Sequence, residues 1–226
     1  MVEHQSPIIN TRTSGPATSE VALSPLCSRM HPIGEVDVGV AVPVGVGAMA
    51  AVIGLDLDQV REICRSAAQG QVLAPANQNS PLQIAIAGHR EAVERAVQSA
   101  REQEARTIPL PVSAPFHCSL MDPAQQRMAE LLRSTEIRDP AVPLVNNVDA
   151  RIVRTAEEIR EGLIRQISSM VRWTEGIERM QNAGVKTFVE VGAGRVLTGL
   201  IRKTLRDVKT FNVEKPEQVE AYVQTG

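Results

Sequence analysis

The residue best suited to moving a proton is His117, in the run Ser113-Ala114-Pro115-Phe116-His117-Cys118-Ser119-Leu120-Met121. Imidazole titrates near neutrality, so it can take a proton from a hydroxyl and return it to a leaving thiol. Spacing alone gives it no partner and favours a histidine packed in a turn. Cys118 adjoins it, but neighbouring side chains on an extended loop point opposite ways, so a structural thiol is expected rather than a Cys-His dyad. Gly192-Ala193-Gly194 could hold a phosphate at a helix N-terminus or simply turn the chain. Leu197 stands where a dinucleotide fingerprint needs its third glycine, which favours the turn. Asn77-Gln78-Asn79-Ser80-Pro81 has amides that could contact a ligand, but a turn alone explains its composition. Gln166 lies along a predicted helix at the margin of an apolar face, either as a buried partner or in solvent.

These residues need elements to hold them. From Gly47 onward the pattern predicts a strand over Met49 to Leu55. Next comes a helix capped by Asp56 with Leu57, Val60, Ile63, Cys64 and Ala67 on one face. Val72 to Ala76 and Gln83 to Ala87 read as strands, the second ended by Gly88. Residues 89–103 read as a helix with Ala92, Val93, Ala96, Val97 and Ala100 inward. Thr107 to Val112 is extended and carries prolines, as an edge strand does. The order β-α-β-β-α-β is the ferredoxin-like pattern and marks residues 48–112 as one small subdomain.

Residues 113–226 alternate helix and strand. Asp122-Pro123 opens a helix with Ala124, Met128, Leu131 and Leu132 inward. Val142 to Val148 reads as a strand. Thr155 and Glu158 form a capping box for a helix carrying Ile159, Leu163, Ile167 and Met170. A helix over 174–183 stops at Gly184, and Thr187 to Val191 is a strand. A helix with Val196, Leu197, Leu200 and Ile201 inward follows, and Thr210 to Val213 is a last strand. This alternation predicts an α/β layer with parallel strands that wants more sheet than the segment supplies. Residues 1–40 show no sustained period and are expected to be poorly ordered, with a short strand over Val36 to Val42.

Composition narrows the function classes. The 226 residues are 43% hydrophobic and 22% charged, with a net charge of −2, which suits an ordinary globular chain. Scattered basic residues and 2% aromatics argue against a nucleic-acid groove. No apolar run reaches the length of a membrane span, and no signal peptide is evident, so no membrane partner and a cytoplasmic location are expected. Three distant cysteines, Cys27, Cys64 and Cys118, form neither a disulfide framework nor a metal cluster.

Taken together, several long motifs in register from about residue 41 onward resemble the bacterial malonyl-CoA:acyl-carrier-protein transacylases. They are Val42-Pro43-Val44-Gly45-Val46-Gly47-Ala48-Met49-Ala50-Ala51-Val52-Ile53-Gly54-Leu55, Asn79-Ser80-Pro81 with Gln83 and Ala87-Gly88-His89, Pro111 to Met121, Val145-Asn146-Asn147-Val148-Asp149, and Glu190-Val191-Gly192-Ala193-Gly194-Arg195-Val196-Leu197-Thr198-Gly199-Leu200. The resemblance implies an α/β hydrolase-like acyltransferase domain with a ferredoxin-like (βαββαβ) insert. It implies transfer of malonyl from coenzyme A to the thiol of acyl carrier protein, through a serine on a G-H-S-x-G elbow. It implies no metal and no cofactor, malonyl-CoA being a substrate. By the same resemblance His117 is the catalytic base and Gln166 is the residue associated with it. Asn79 lines the cleft, and Phe116 crowds out branched acyl groups.

The sequence also departs from that pattern. No serine has a glycine two positions before it, so the elbow is absent. The family's G-Q-G segment and its carboxylate-binding arginine are absent too; Gly34 falls in the arginine's place and Arg29 is out of register. Ala193 replaces a usual proline. The expectation is therefore an incomplete acyltransferase domain, inactive alone, whose residues 1–40 are out of frame or wrongly started. The alternatives are a carrier-protein-binding or regulatory fragment and a chain completed by a separate polypeptide.

Overall fold

The computed structural model describes residues 8–9, 22–23 and 46–225. Two short strands, Ile8–Ile9 (β1) and Ala22–Leu23 (β2), fall within the first forty residues, where no period announced them. The strand expected over Val36 to Val42 and the order of the rest of residues 1–40 lie outside the described residues.

The first continuous unit begins with Gly47–Ile53 (β3), whose middle four residues are buried. Asp56 then caps Leu57–Ala68 (α1) in a reciprocal box with Gln59, and Val60, Ile63, Cys64 and Ala67 face inward as their spacing predicts. Leu73–Ser80 (β4) and Gln83–His89 (β5) form a hairpin, followed by Arg90–Glu102 (α2) and Arg106–Pro109 (β6). The four strands are antiparallel in the order β4-β5-β3-β6, which puts the proline-bearing β6 at an edge. Both helices cover one face of this sheet, and Val52, Val60, Ile84, Ile86, Val93 and Ala96 pack between them.

Two expectations fail here. The Asn77-to-Ser80 segment is strand rather than turn, and the reversal falls at Pro81-Leu82. Its polar residues tolerate the sheet because β4 is bulged: Ala76 and Asn79 have no partner in the β4–β5 register. Gly88 does not end its strand. A Cβ there would sit 2.1 Å from the Val72 carbonyl oxygen, so glycine is what lets β4 and β5 approach.

Beyond a single 3-10 turn at Ser119–Met121 come Asp122–Ser134 (α3), Leu144–Val145 (β7), Ile152–Val153 (β8), Ala156–Gln166 (α4), Trp173–Asn182 (α5), Thr187–Val191 (β9), Val196–Thr204 (α6), Lys209–Val213 (β10) and Pro216–Thr225 (α7). The second sheet runs β10-β9-β1-β2-β7-β8. It is mixed rather than parallel: β9–β10 and β2–β7 are parallel, while β1–β2, β1–β9 and β7–β8 are antiparallel. Ile177, Met180, Phe188, Leu197 and Ile201 centre its core.

Helix faces deviate most in this half. In α3 only Ala129 is buried, and Leu131 is 59% exposed although its spacing pointed inward. Helix α4 buries Gly162, Ile164 and Gln166 in place of the expected Ile159, Leu163 and Ile167. Val196 is exposed at the start of α6, and the strand expected over 142–148 shrinks to β7 because the chain turns at Asn147.

Candidate active site

Strand β3 and the loop after β6 are held together at one point. Gly47 lies so close to Pro115 that a Cβ would come within 2.3 Å of the proline ring. Two residues further on, His117 takes a left-handed backbone with φ of 63°. That conformation is uncommon for a residue with a Cβ, and here it turns the ring into the interior, where it is buried. His117 Nδ1 is 2.9 Å from the main-chain oxygen of Gln166. A carbonyl only accepts, so Nδ1 carries the proton and Nε2 is left with its lone pair free. Nε2 is buried and has no hydrogen-bond partner among the described residues. Burial holds the ring's pKa below its usual value, with the Gln166 and Ser169 carbonyls acting the other way. The ring is therefore a neutral, oriented acceptor at neutral pH.

The structure brings His117 and Gln166 together through the Gln166 backbone and not through its side chain. Gln166 is the last residue of α4, and its carbonyl is one of those a helix leaves unpaired at its C-terminus. That end carries partial negative charge, so it would stabilise an imidazolium as an acid residue does. The Gln166 amide turns away and donates to the Ser169 carbonyl at 3.1 Å.

The other candidates sort themselves. Cys118 Sγ donates to the Pro115 carbonyl at 3.1 Å, away from the His117 bond, and burial pushes its pKa up. Phe116, partly buried, packs against the cluster formed by Met49, Ala76, Ala87 and Cys118. Asn79 is the half-buried bulge residue of β4, and no bond joins it to His117. At Gly192-Ala193-Gly194, both glycines have positive φ, and the helix terminus that follows is already filled. The Glu190 carboxylate accepts from the Leu197 and Thr198 amides at 3.1 and 2.8 Å. That carboxylate occupies the place a phosphate would take, so the tight-turn reading holds.

Sequence reasoning missed the join beside this site. Val171 pairs with β4: its N–H donates to the Ala76 carbonyl, and its carbonyl accepts from the Gln78 N–H, both at 2.8 Å. Thr174 Oγ1 donates to the Gln78 carbonyl at 3.1 Å, and the Arg172 N–H to the Asn147 carbonyl at 2.8 Å. Asn77, on this rung, is buried with its side-chain oxygen unpaired. Its only sequence signal is a polar residue in a segment with turn composition. Among the described residues no three His, Cys, Asp or Glu side chains gather as metal ligands, and no helix is long and apolar enough to cross a membrane.

Comparison with known proteins fits this geometry. The acyl transferase domain family matches residues 40–220. The malonyl CoA-acyl carrier protein transacylase of Escherichia coli K12 is 44% identical over 185 residues, covering 81% of this chain and 60% of the relative. The Bacillus subtilis enzyme of the same name is 42% identical over 187 residues, covering 82% and 59%. Among solved structures, an acyl carrier protein S-malonyltransferase from Vibrio cholerae superposes with a TM-score of 0.78 at 43% identity, covering 82% of this chain and 61% of that one. A malonyl-transacylase in complex with its type II polyketide acyl-carrier protein gives a TM-score of 0.78 at 42% identity, covering 81% and 60%. The chain thus spans about 60% of the length of the curated relatives it matches. With a matching profile over most of its length and relatives above 40% identity, the chain belongs to the acyl transferase domain family.

Proposed function

We propose that this chain carries the histidine side of a malonyl-CoA:acyl-carrier-protein transacylase site. The observation that carries the reading is the buried His117 ring, with Nδ1–H fixed on the Gln166 carbonyl and Nε2 unpaired. Such a ring accepts a proton at Nε2 as a serine hydroxyl attacks the malonyl thioester. It returns the proton to the departing coenzyme A thiolate. The second half-reaction repeats the cycle with the carrier thiol as nucleophile and the serine as leaving group. The α4 terminus stabilises the transient imidazolium in both halves.

In this reading residues 48–112 are a ferredoxin-like subdomain and residues 113–226 part of an α/β hydrolase-like domain. The β-α-β-β-α-β order and the antiparallel arrangement β4-β5-β3-β6 support the first. Phe116 and Asn79 are acyl-side residues, Phe116 excluding an α-branched chain by bulk. No serine of the chain stands in a Gly-x-Ser-x-Gly setting, so the chain alone is expected to take up no malonyl group.

Intact-mass measurement after incubation with malonyl-CoA tests this directly. The expected result is no adduct on the chain alone. Co-expression with the serine-bearing part of the Escherichia coli relative should give an adduct that disappears on adding acyl carrier protein. His117→Ala in that pair should slow adduct formation by about 10²–10⁴-fold. Transfer that is indifferent to His117 would remove the reading.

A further inference from the structure

The Val-Asn-Asn-Val-Asp motif has no place in the chemistry above, yet it touches the element that holds His117. We propose that Asn146, Asp149 and Arg165 form a positioning device for His117, tying down the last turn of α4 so that the Gln166 carbonyl stays fixed as the acceptor of Nδ1–H. The inference takes its meaning from His117 as the base of acyl transfer.

Helix ends fray, and a carbonyl in a frayed turn is a poor anchor. The residue before Gln166 prevents that. Arg165 sends its two terminal nitrogens to the two oxygens of Asp149, at 2.7 and 2.5 Å, in a bidentate fork. The fork holds the Asp149 carboxyl below its usual pKa and raises that of Arg165. Asp149 is itself fixed. Its N–H donates to Asn146 Oδ1, and Asn146 Nδ2 donates to Asp149 Oδ2, both at 3.1 Å. Asn146 in turn lies against α4 at Gly162, where a Cβ would meet Nδ2 at 3.3 Å. The turn is completed by Ala150 with φ of 52°. The cluster thus grips α4 at residues 162 and 165 and anchors it to β7 and β8.

Two other charges face the cluster. Arg151 lies 3.5 Å from Asp149 within the same turn, and its charge acts on α4 at Glu158, in the first turn, away from the last turn that carries Gln166. Glu161 acts on Arg165 at longer range. Arg151 therefore separates the electrostatic effect of a nearby cation from the mechanical effect of the tie.

The test is the ring itself, read by long-range proton–nitrogen correlation in chain with nitrogen-15 histidine. His89 supplies an internal reference, because its Nδ1 accepts from the Val72 N–H at 2.9 Å and so fixes the opposite tautomer, with the proton on Nε2. Arg165→Ala and Asp149→Ala are each expected to raise the Nε2–H fraction of His117 about fivefold, with His89 unchanged. Arg151→Ala should leave both rings as they are. The exchanged pair Asp149→Arg with Arg165→Asp should bring His117 back towards Nδ1–H. A His117 ratio unmoved by both single variants, or moved equally by Arg151→Ala, overturns the proposal. The Arg165 side chain is 41% exposed, so truncation leaves no buried void. If His89 nevertheless averages as well, Arg165→Gln is measured by the same criterion. Unfolding of that variant too would overturn the proposal, since the tie would then serve the fold as a whole. A chain that shows the tautomer change but never transfers malonyl with its serine-bearing partner would sink the acyl-transfer reading and leave this one standing.

Discussion

His117 concentrates three unusual properties in one residue: a left-handed backbone, a buried ring and a ring nitrogen tied to the main chain of Gln166. The burial has a consequence for stability. The folded pKa lies below the unfolded value of about 6.5, so the unfolded chain binds the extra proton. Stability from this residue is complete above that unfolded value and is lost as pH falls from it towards the lower folded pKa. His117→Asn keeps a side chain that tolerates the left-handed region and removes the titration. The variant should show a flatter loss of denaturation midpoint as pH falls below about 6.5 than the unaltered chain. The thiols give a second prediction at this scale. Burial pushes the Cys64 pKa up to about 12 and that of Cys118 in the same direction. A thiol reagent at pH 8 should modify neither in native buffer and both in denaturant, as read by peptide mass mapping. His117 was legible as a candidate through the family resemblance, since its spacing alone pointed to a histidine packed in a turn. The role of Gln166 was less so: it acts through a carbonyl, which every residue has, and only the end of α4 reveals which carbonyl is free.

At the scale of elements, local chemistry was the readable part. Asp56 and Thr155 cap α1 and α4 through side chains three residues from their targets, so composition announces them. The cap on α6 was hidden because Glu190 lies on β9 and reaches across the Gly192–Gly194 turn. Glu190→Ala should cost about 1–2 kcal/mol in a denaturant titration, since it frees two amide donors and empties a buried site. Gly88→Ala should cost about 1–3 kcal/mol by the same measurement, because the new methyl meets backbone that cannot rotate away. The errors were tertiary. The Asn77–Ser80 segment looks like a turn until Val171, distant in sequence, supplies its hydrogen bonds. The inward face assigned to α3 assumed cover that the described residues do not provide for Leu131.

Among the described residues the two sheets meet at the Val171 rung, and Trp173 sits two residues beyond it. As the single tryptophan, buried in the core of the second sheet, it reports on that half alone. Helix α1, helix α2 and the small sheet dominate the far-ultraviolet signal of the other half. Tryptophan emission and circular dichroism should therefore change at one common denaturant concentration if the rung couples the halves. Two separated transitions would show that each sheet unfolds by itself. Little of this meeting was legible beforehand, since no periodicity records which strand edge another segment will find.

The same rung governs geometry as well as stability. Asn77 and Gln78 of β4 pair with β5 on one edge, while Ala76 and Gln78 bond to Val171 and Thr174 on the other. Spreading the two sheets apart would shear those bonds. On the proposed function, the segment leading from α4 to α5 would keep its place against β4 throughout the cycle, as a riveted joint does and a hinge does not.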